Sequence, residues 1–66
     1  MGGLEFEGVR LMRLSEVVQQ VGLSRSTIYK RMDEGRFPHP VDLGPNIVRW
    51  RSDDVVAWIG SLDRKK

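Results

Sequence analysis

The sequence contains no cysteine and a single histidine, His39. A disulfide framework and a thiolate metal site are therefore excluded, and one imidazole cannot assemble a ligand cluster. No metal or other cofactor is expected. Long apolar runs are missing too: the longest, Val55-Val56-Ala57-Trp58-Ile59, falls far short of the ~20 residues of a membrane span. The amino-terminal stretch has neither a basic n-region nor an apolar h-region, and Phe6 stands where a myristoylation signal wants Ser or Thr. The expectation is a soluble, cytoplasmic, nucleoid-associated protein with no membrane partner. Bulk is also scarce, because the chain has 66 residues. A core of that order buries roughly 60% of the unfolded surface and rarely supplies more than about 3–5 kcal/mol net, which leaves little room for a catalytic cleft. The chain is not expected to be an enzyme.

What is present is charge, unevenly placed. Lys and Arg number 11 against 9 Asp and Glu, for a net charge of +2. Acid gathers near the ends, at Glu5 and Glu7 and at Asp53, Asp54 and Asp63, whereas residues 24–36 carry Arg25, Lys30, Arg31 and Arg36 against Asp33 and Glu34. Arg49 and Arg51 follow and read as having no nearby acid, and Arg64-Lys65-Lys66 closes the sequence. Such segregation can build a positive face on a nearly neutral molecule.

Residues 1–8 have paired glycines and no sustained period, and read as a flexible leader without assigned function. Val9 and Leu11 alternate with Arg10 and Met12, a pattern for one short strand. Leu14, Val17, Val18 and Val21 then recur at i, i+3, i+4 and i+7, the stripe of an amphipathic helix. Ser15 is its candidate N-cap or first-turn residue, Glu16 suits the positive end of the dipole, and Gly22 ends it. Ser24 is a strong N-cap for a second helix, Arg25 to Glu34, closed by Gly35. Ile28 and Met32 point one way on that helix, while Ser26, Lys30 and Asp33 point away.

The prolines of Phe37-Pro38-His39-Pro40 hold that segment out of helix. Val41 and Leu43 share a strand face, Gly44-Pro45-Asn46 makes a turn, and Val48 and Trp50 face inward on the returning strand. Ile47, Arg49 and Arg51 take its outward face. Ser52 is the expected cap of a third helix with Asp53 and Asp54 in its first turn, and Val55, Trp58, Ile59 and Leu62 form its inward stripe. Trp50 and Trp58 are both expected in the core. The organisation is a small α+β winged helix-turn-helix, with three short helices and a β-hairpin wing, over residues 9–62, followed by a basic tail over 63–66.

Two short helices joined by Gly22-Leu23-Ser24, the second with a polar and basic outer face, have the layout of a DNA-reading helix-turn-helix. A major groove about 12 Å wide admits one helix, whose first two turns reach base edges while its orphan N–H groups meet a phosphate. Arg25 and Lys30 can donate to guanine or phosphate. Ser24 heads the helix, Ser26 and Thr27 are short adaptable hydrogen-bonding groups, and Tyr29 can lie against sugar or a thymine methyl. Tyr29 serves equally well as a half-buried ring with a wet hydroxyl. Arg49 and Arg51 on the wing stand near the flanking backbone.

The runs Leu14-Ser15-Glu16-Val17, Gly22-Leu23-Ser24-Arg25-Ser26-Thr27-Ile28-Tyr29, Gly35-Arg36-Phe37-Pro38-His39-Pro40-Val41-Asp42-Leu43-Gly44, Trp50-Arg51-Ser52 and Ala57-Trp58-Ile59 together resemble the AlpA family of small prophage-encoded regulators. The resemblance covers Arg10 to Ile59. It implies a DNA-binding module like those of MerR proteins and excisionases, acting on transcription of integrase genes or otherwise directing prophage excision. Double-stranded DNA is the implied partner, with an integrase or RNA polymerase as the protein partners it leaves open. Members often carry a basic residue in the wing turn, where this chain has Pro45-Asn46, so the basic groups of the wing are Arg49 and Arg51. Three functions remain open: a sequence-specific transcription regulator, an excisionase-like architectural factor that bends DNA for an integrase, and a protein-binding adaptor without DNA affinity.

Overall fold

A computed structural model describes residues 8–65. The expected leader lies outside the described residues except for Gly8, and the basic tail lies within them as far as Lys65. The order is β1 (Leu11–Met12), α1 (Leu14–Val21), α2 (Arg25–Asp33), β2 (Val41–Gly44), β3 (Ile47–Arg51) and α3 (Ser52–Gly60). All strands pair antiparallel in the spatial order β1-β3-β2. The chain thus has the small α+β, winged helix-like fold that the sequence pattern predicts. Among the described residues no helix is long and apolar enough to cross a membrane.

Capping chemistry sets the helix limits. Arg13, not Ser15, is the N-cap of α1, and its amide donates to Glu16 Oε1 at 2.8 Å. Ser15 falls in the first turn. Gly22, at φ 74°, ends α1 by donating its amide to the Val18 carbonyl. Ser24 caps α2 as expected, its Oγ accepting the Thr27 amide at 3.2 Å. At the other end Gly35 adopts φ 71°, and the amides of Gly35 and Arg36 return to the carbonyls of Met32 and Arg31. That pair of bonds is a Schellman closure, which needs a left-handed residue at the Gly35 position.

Met12, Val17, Ile28, Phe37, Trp50 and Val55 form the buried core, with Leu14, Val18, Val21, Leu23, Met32 and Trp58 packed around it. Met12 is opposite Trp50 and Leu11 opposite Arg51, so pairing with β3 turns Met12 inward and leaves Leu11 outside. Trp50 satisfies its indole N–H on the Pro38 carbonyl at 2.9 Å, which is how so large a polar-tipped ring is buried completely. Phe37, placed in a loop by its prolines, is a core residue packed edge-on against Trp58 at 4.7 Å between ring centroids.

Two expectations for α3 are corrected. Ser52 does not cap its helix; Arg51 occupies the cap position, and Ser52 is buried as the first helical residue. Its Oγ accepts the Arg10 amide at 2.7 Å and donates to the Gly8 carbonyl at 3.3 Å, while its own amide donates to the Arg10 carbonyl. The hydroxyl fastens the start of β1 instead of serving its own helix. The inward stripe is also shorter than its periodicity implies: Val55 is buried and Trp58 half-buried, but Ile59 and Leu62 are exposed. The helix ends at Gly60, so Leu62 lies beyond it, and Trp58 is an edge residue of the core.

Candidate nucleic-acid interface

The second helix divides its faces as the spacing predicts. Ile28 is buried, Thr27 is half-buried, and Arg25, Ser26, Tyr29 and Lys30 are exposed. At its head Ser24 Oγ accepts the Thr27 amide, donates to Thr27 Oγ1 at 2.9 Å and lies 3.4 Å from Ser26 Oγ. Ser24 and Thr27 therefore shape the start of the helix; with the Ser24 proton given to Thr27, Ser26 donates back to Ser24, and the Thr27 hydroxyl proton remains for an outside acceptor. The amides of Arg25 and Ser26 have no intrahelical acceptor in any helix and point out of its amino end.

Tyr29 packs in part and stays open in part. Its ring meets Trp50 edge-on, 6.4 Å between centroids at 69°, while 44% of the residue stays exposed. That contact joins the outer flank of α2 to β3, the strand that carries Arg49 and Arg51. Because Trp50 faces the core, alternation places both arginines on the opposite side of the sheet, Arg49 across from Val41 and Arg51 across from Leu11.

The arginines are not equivalent. Arg49 is half-buried and folds back, its Nη1 donating to the Val48 carbonyl at 2.8 Å. Arg51 departs from the sequence expectation that no acid stands near it: Nε reaches Asp53 Oδ1 and Nη2 reaches Oδ2, each at 3.0 Å. The strand ends and α3 begins at this point, so two residues of sequence separation bring the side chains together. Hydrogen bonding to Asp53 raises the Arg51 pKa, and the same bond, opposed by partial desolvation, lowers that of Asp53. An Asp in the first turn after an arginine cap is the signal that would have revealed the pair.

Among the described residues the other salt bridges join Arg10 to Glu16 and Arg36 to Glu34. Arg25, Lys30 and Arg49 take part in none of the three. Among the described residues no carboxylate lies within salt-bridge distance of these three cations. Sequence reasoning passed over an open cleft of about 450 Å³ between the Gly35 loop and the end of α3, lined by Arg31, Arg36, Phe37, Trp58 and Leu62. It lies at the far end of α2 from Ser24 and is separate from the candidate DNA-reading face.

The family model described as prophage CP4-57 regulatory protein (AlpA) matches residues 10–63. The chain belongs to the AlpA family. The match runs from the residue before β1 to beyond α3, so every element of the fold is included. The family's description is that of a prophage regulatory protein. The chain is also similar to an uncharacterized protein, ORF88, of Enterobacteria phage P4, at 46% identity over 50 residues, covering 76% of this chain and 57% of the phage protein. It therefore spans little more than half the length of that relative. No solved structure matches.

Proposed function

We propose that this AlpA-family chain is a sequence-specific double-stranded DNA-binding transcription regulator of a prophage or other mobile element. One observation carries the reading: α2 presents Arg25, Ser26, Tyr29 and Lys30 outward behind a Ser24 cap, with neither cation in a salt bridge among the described residues. In the major groove Arg25 offers a two-pronged donor to guanine, Ser26 and Thr27 offer hydroxyls, and the amides of Arg25 and Ser26 receive a phosphate. Lys30 and Tyr29 lie one turn further along, against backbone and sugar. Arg49 and Arg51 serve the flanking phosphates, Arg51 after exchanging Asp53 for a phosphate oxygen.

Selection of bound duplexes from a random pool tests this directly. If about four to six phosphates are neutralised, log K against log salt has a slope near −4 to −5 at ~0.9 per contact. Binding that stays at about 10⁻⁴–10⁻⁶ M at physiological salt on every duplex removes the reading and favours a protein-binding adaptor. An excisionase-like architectural factor uses the same surface. The exposed apolar tip of the wing favours that second reading. Excision reconstituted with purified integrase and no transcription separates the two, because only an architectural factor stimulates it.

A further inference from the structure

The β2–β3 hairpin reaches past the helices it packs against. Trp50 is completely buried, yet Val48, on the same face and nearer the turn, is 37% exposed, and Ile47 and Leu43 are 42% and 49% exposed. Leu43 falls in a break of register: Asp42 is opposite Val48 and Gly44 opposite Ile47, so Leu43 has no cross-strand partner. A bulged residue is pushed out of the ladder. The turn itself is held in shape, since Asp42 Oδ1 accepts the Gly44 amide at 2.9 Å and Asn46 adopts φ 61° after Pro45. The tip is a firm apolar point, not a basic one: residues 41–48 contain no Lys or Arg.

We propose that this tip, led by Leu43 and Ile47 with Pro45 between them, is an apolar wedge for the minor groove beside the bases that α2 reads. The proposal rests on the DNA-binding reading above. Its place is set by continuity with that surface, because the same strand carries Arg49 and Arg51 and its Trp50 abuts Tyr29 of α2. Without a cation the tip cannot hold phosphates, and the exposed Asp42 carboxylate repels them. Apolar contact with base edges is the attraction left to it.

The dimensions decide how that contact is made. Paired strands are about 4.8 Å apart before side chains are counted, and the minor groove is about 6 Å wide, so the ribbon enters only a groove that opens. Leu, Ile and Pro side chains open it by parting a base step, with kinks of about 20–90° toward the major groove. Pyrimidine–purine steps part most easily. Selected sites therefore carry such a step at a constant offset from the bases read by α2, at a position the protein reads only through its deformability.

The test uses the full chain on a duplex taken from the random-pool selection, with end-to-end energy transfer for bending and 2-aminopurine at the flexible step for unstacking. The comparison protein is the double variant Leu43→Ser, Ile47→Thr; both positions are exposed, and circular dichroism verifies the fold. The expected result is a bent duplex with raised 2-aminopurine fluorescence for the parent chain, and a variant that still binds but has lost both signals. A straight complex with the parent chain, or a variant that bends as much, overturns the wedge. So does a variant that bends single sites normally but no longer fills repeated sites in steps, which makes the tip a contact between copies. Absence of selective, salt-dependent binding by the parent chain overturns the DNA reading itself, and the wedge with it.

Discussion

Arg51 grips Asp53 with both ends of its guanidinium, Nε to Oδ1 and Nη2 to Oδ2, at 3.0 Å each. The pair sits at the junction of β3 and α3, on the side of the sheet away from the core. Both side chains are largely exposed, so the bond contributes little to stability. Its consequence is electrostatic: a cation assigned to the DNA backbone is already half-spoken for. Asp53→Asn loosens the hold on the arginine and removes a negative charge from the first turn of α3, beside the wing. The variant should bind all duplexes more tightly and steepen the salt slope by about one contact, while Arg51→Ala should weaken all alike and flatten it. Titrations at several salt concentrations check this; an Asp53→Asn protein with parental affinity and slope places Arg51 off the DNA.

Arg25 stands in the first turn of α2 with no salt bridge among the described residues, where a side chain reaches base edges. Arg25→Ala should cost about 1–3 kcal/mol on a selected duplex if it pairs with guanine, and much less on a scrambled one. Equal losses on the two duplexes make Arg25 a phosphate contact.

The tryptophans should separate in a thermal melt. Trp50 is fully buried and bonded to the Pro38 carbonyl, so Trp50→Ala should cost about 3–5 kcal/mol, comparable to the whole stability of so small a domain. Trp58 is half-buried against Phe37 and donates to the Arg36 carbonyl at 2.8 Å. Trp58→Phe should keep the aromatic contact and lose about 1 kcal/mol with the hydrogen bond. Circular dichroism decides, and a Trp50→Ala protein that melts near the parental midpoint contradicts the packing.

Acid should loosen the fold only slightly, through two exposed carboxylates whose ion pairs each contribute little. The Arg13 amide, then the Arg10 guanidinium, hold the pKa of Glu16 below its ordinary value. Asp53 is held down chiefly by Arg51. A carboxyl lowered in the folded state stabilises the fold above its unfolded pKa, and that contribution disappears as pH falls through the folded value. Melting temperature should be level above about pH 5 and decline below about pH 4. Glu16→Gln should remove part of the decline; an unchanged profile assigns it to other groups.

The free protein should be a monomer. Its longest helices, α2 and α3, have nine residues each among the described residues, short of the three or four heptads of a stable coiled coil. A single module covers only about 600–1,000 Å² of its own surface on DNA, which favours side-by-side occupation of repeated sites. Sedimentation at micromolar concentration should give a mass near 7.6 kDa, and gel shifts on a selected repeat should show more than one step. A stable dimer without DNA contradicts this.

Much of the architecture was legible because its signals act over a few residues. The Leu14/Val17/Val18/Val21 stripe, the Ser24 cap, Gly35 at the Schellman position and the Pro45-Asn46 turn each need only neighbouring backbone. The same locality made the outer face of α2 readable, since 100° per residue separates Ile28 from Ser26 and Lys30 once a helix is granted. The run from Gly22 to Tyr29, combined with that from Gly35 to Gly44 and three shorter ones, also carried the family resemblance.

Tertiary structure decided what depends on partners distant in sequence. Ser52 looked like a cap because Ser before two acids usually is one, but across forty-two residues the Arg10 amide claims its hydroxyl. The phase of β1 was open until pairing with Trp50 chose Met12 for the core. Periodicity put Val48 on the Trp50 face and Ile59 on the Val55 face, yet both are exposed, and Leu62 lies beyond the end of α3 at Gly60. Period fixes which residues share a face; only the position of the covering elements decides how far along that face burial extends, and here the cover stops before the wing tip and before the last turn of α3.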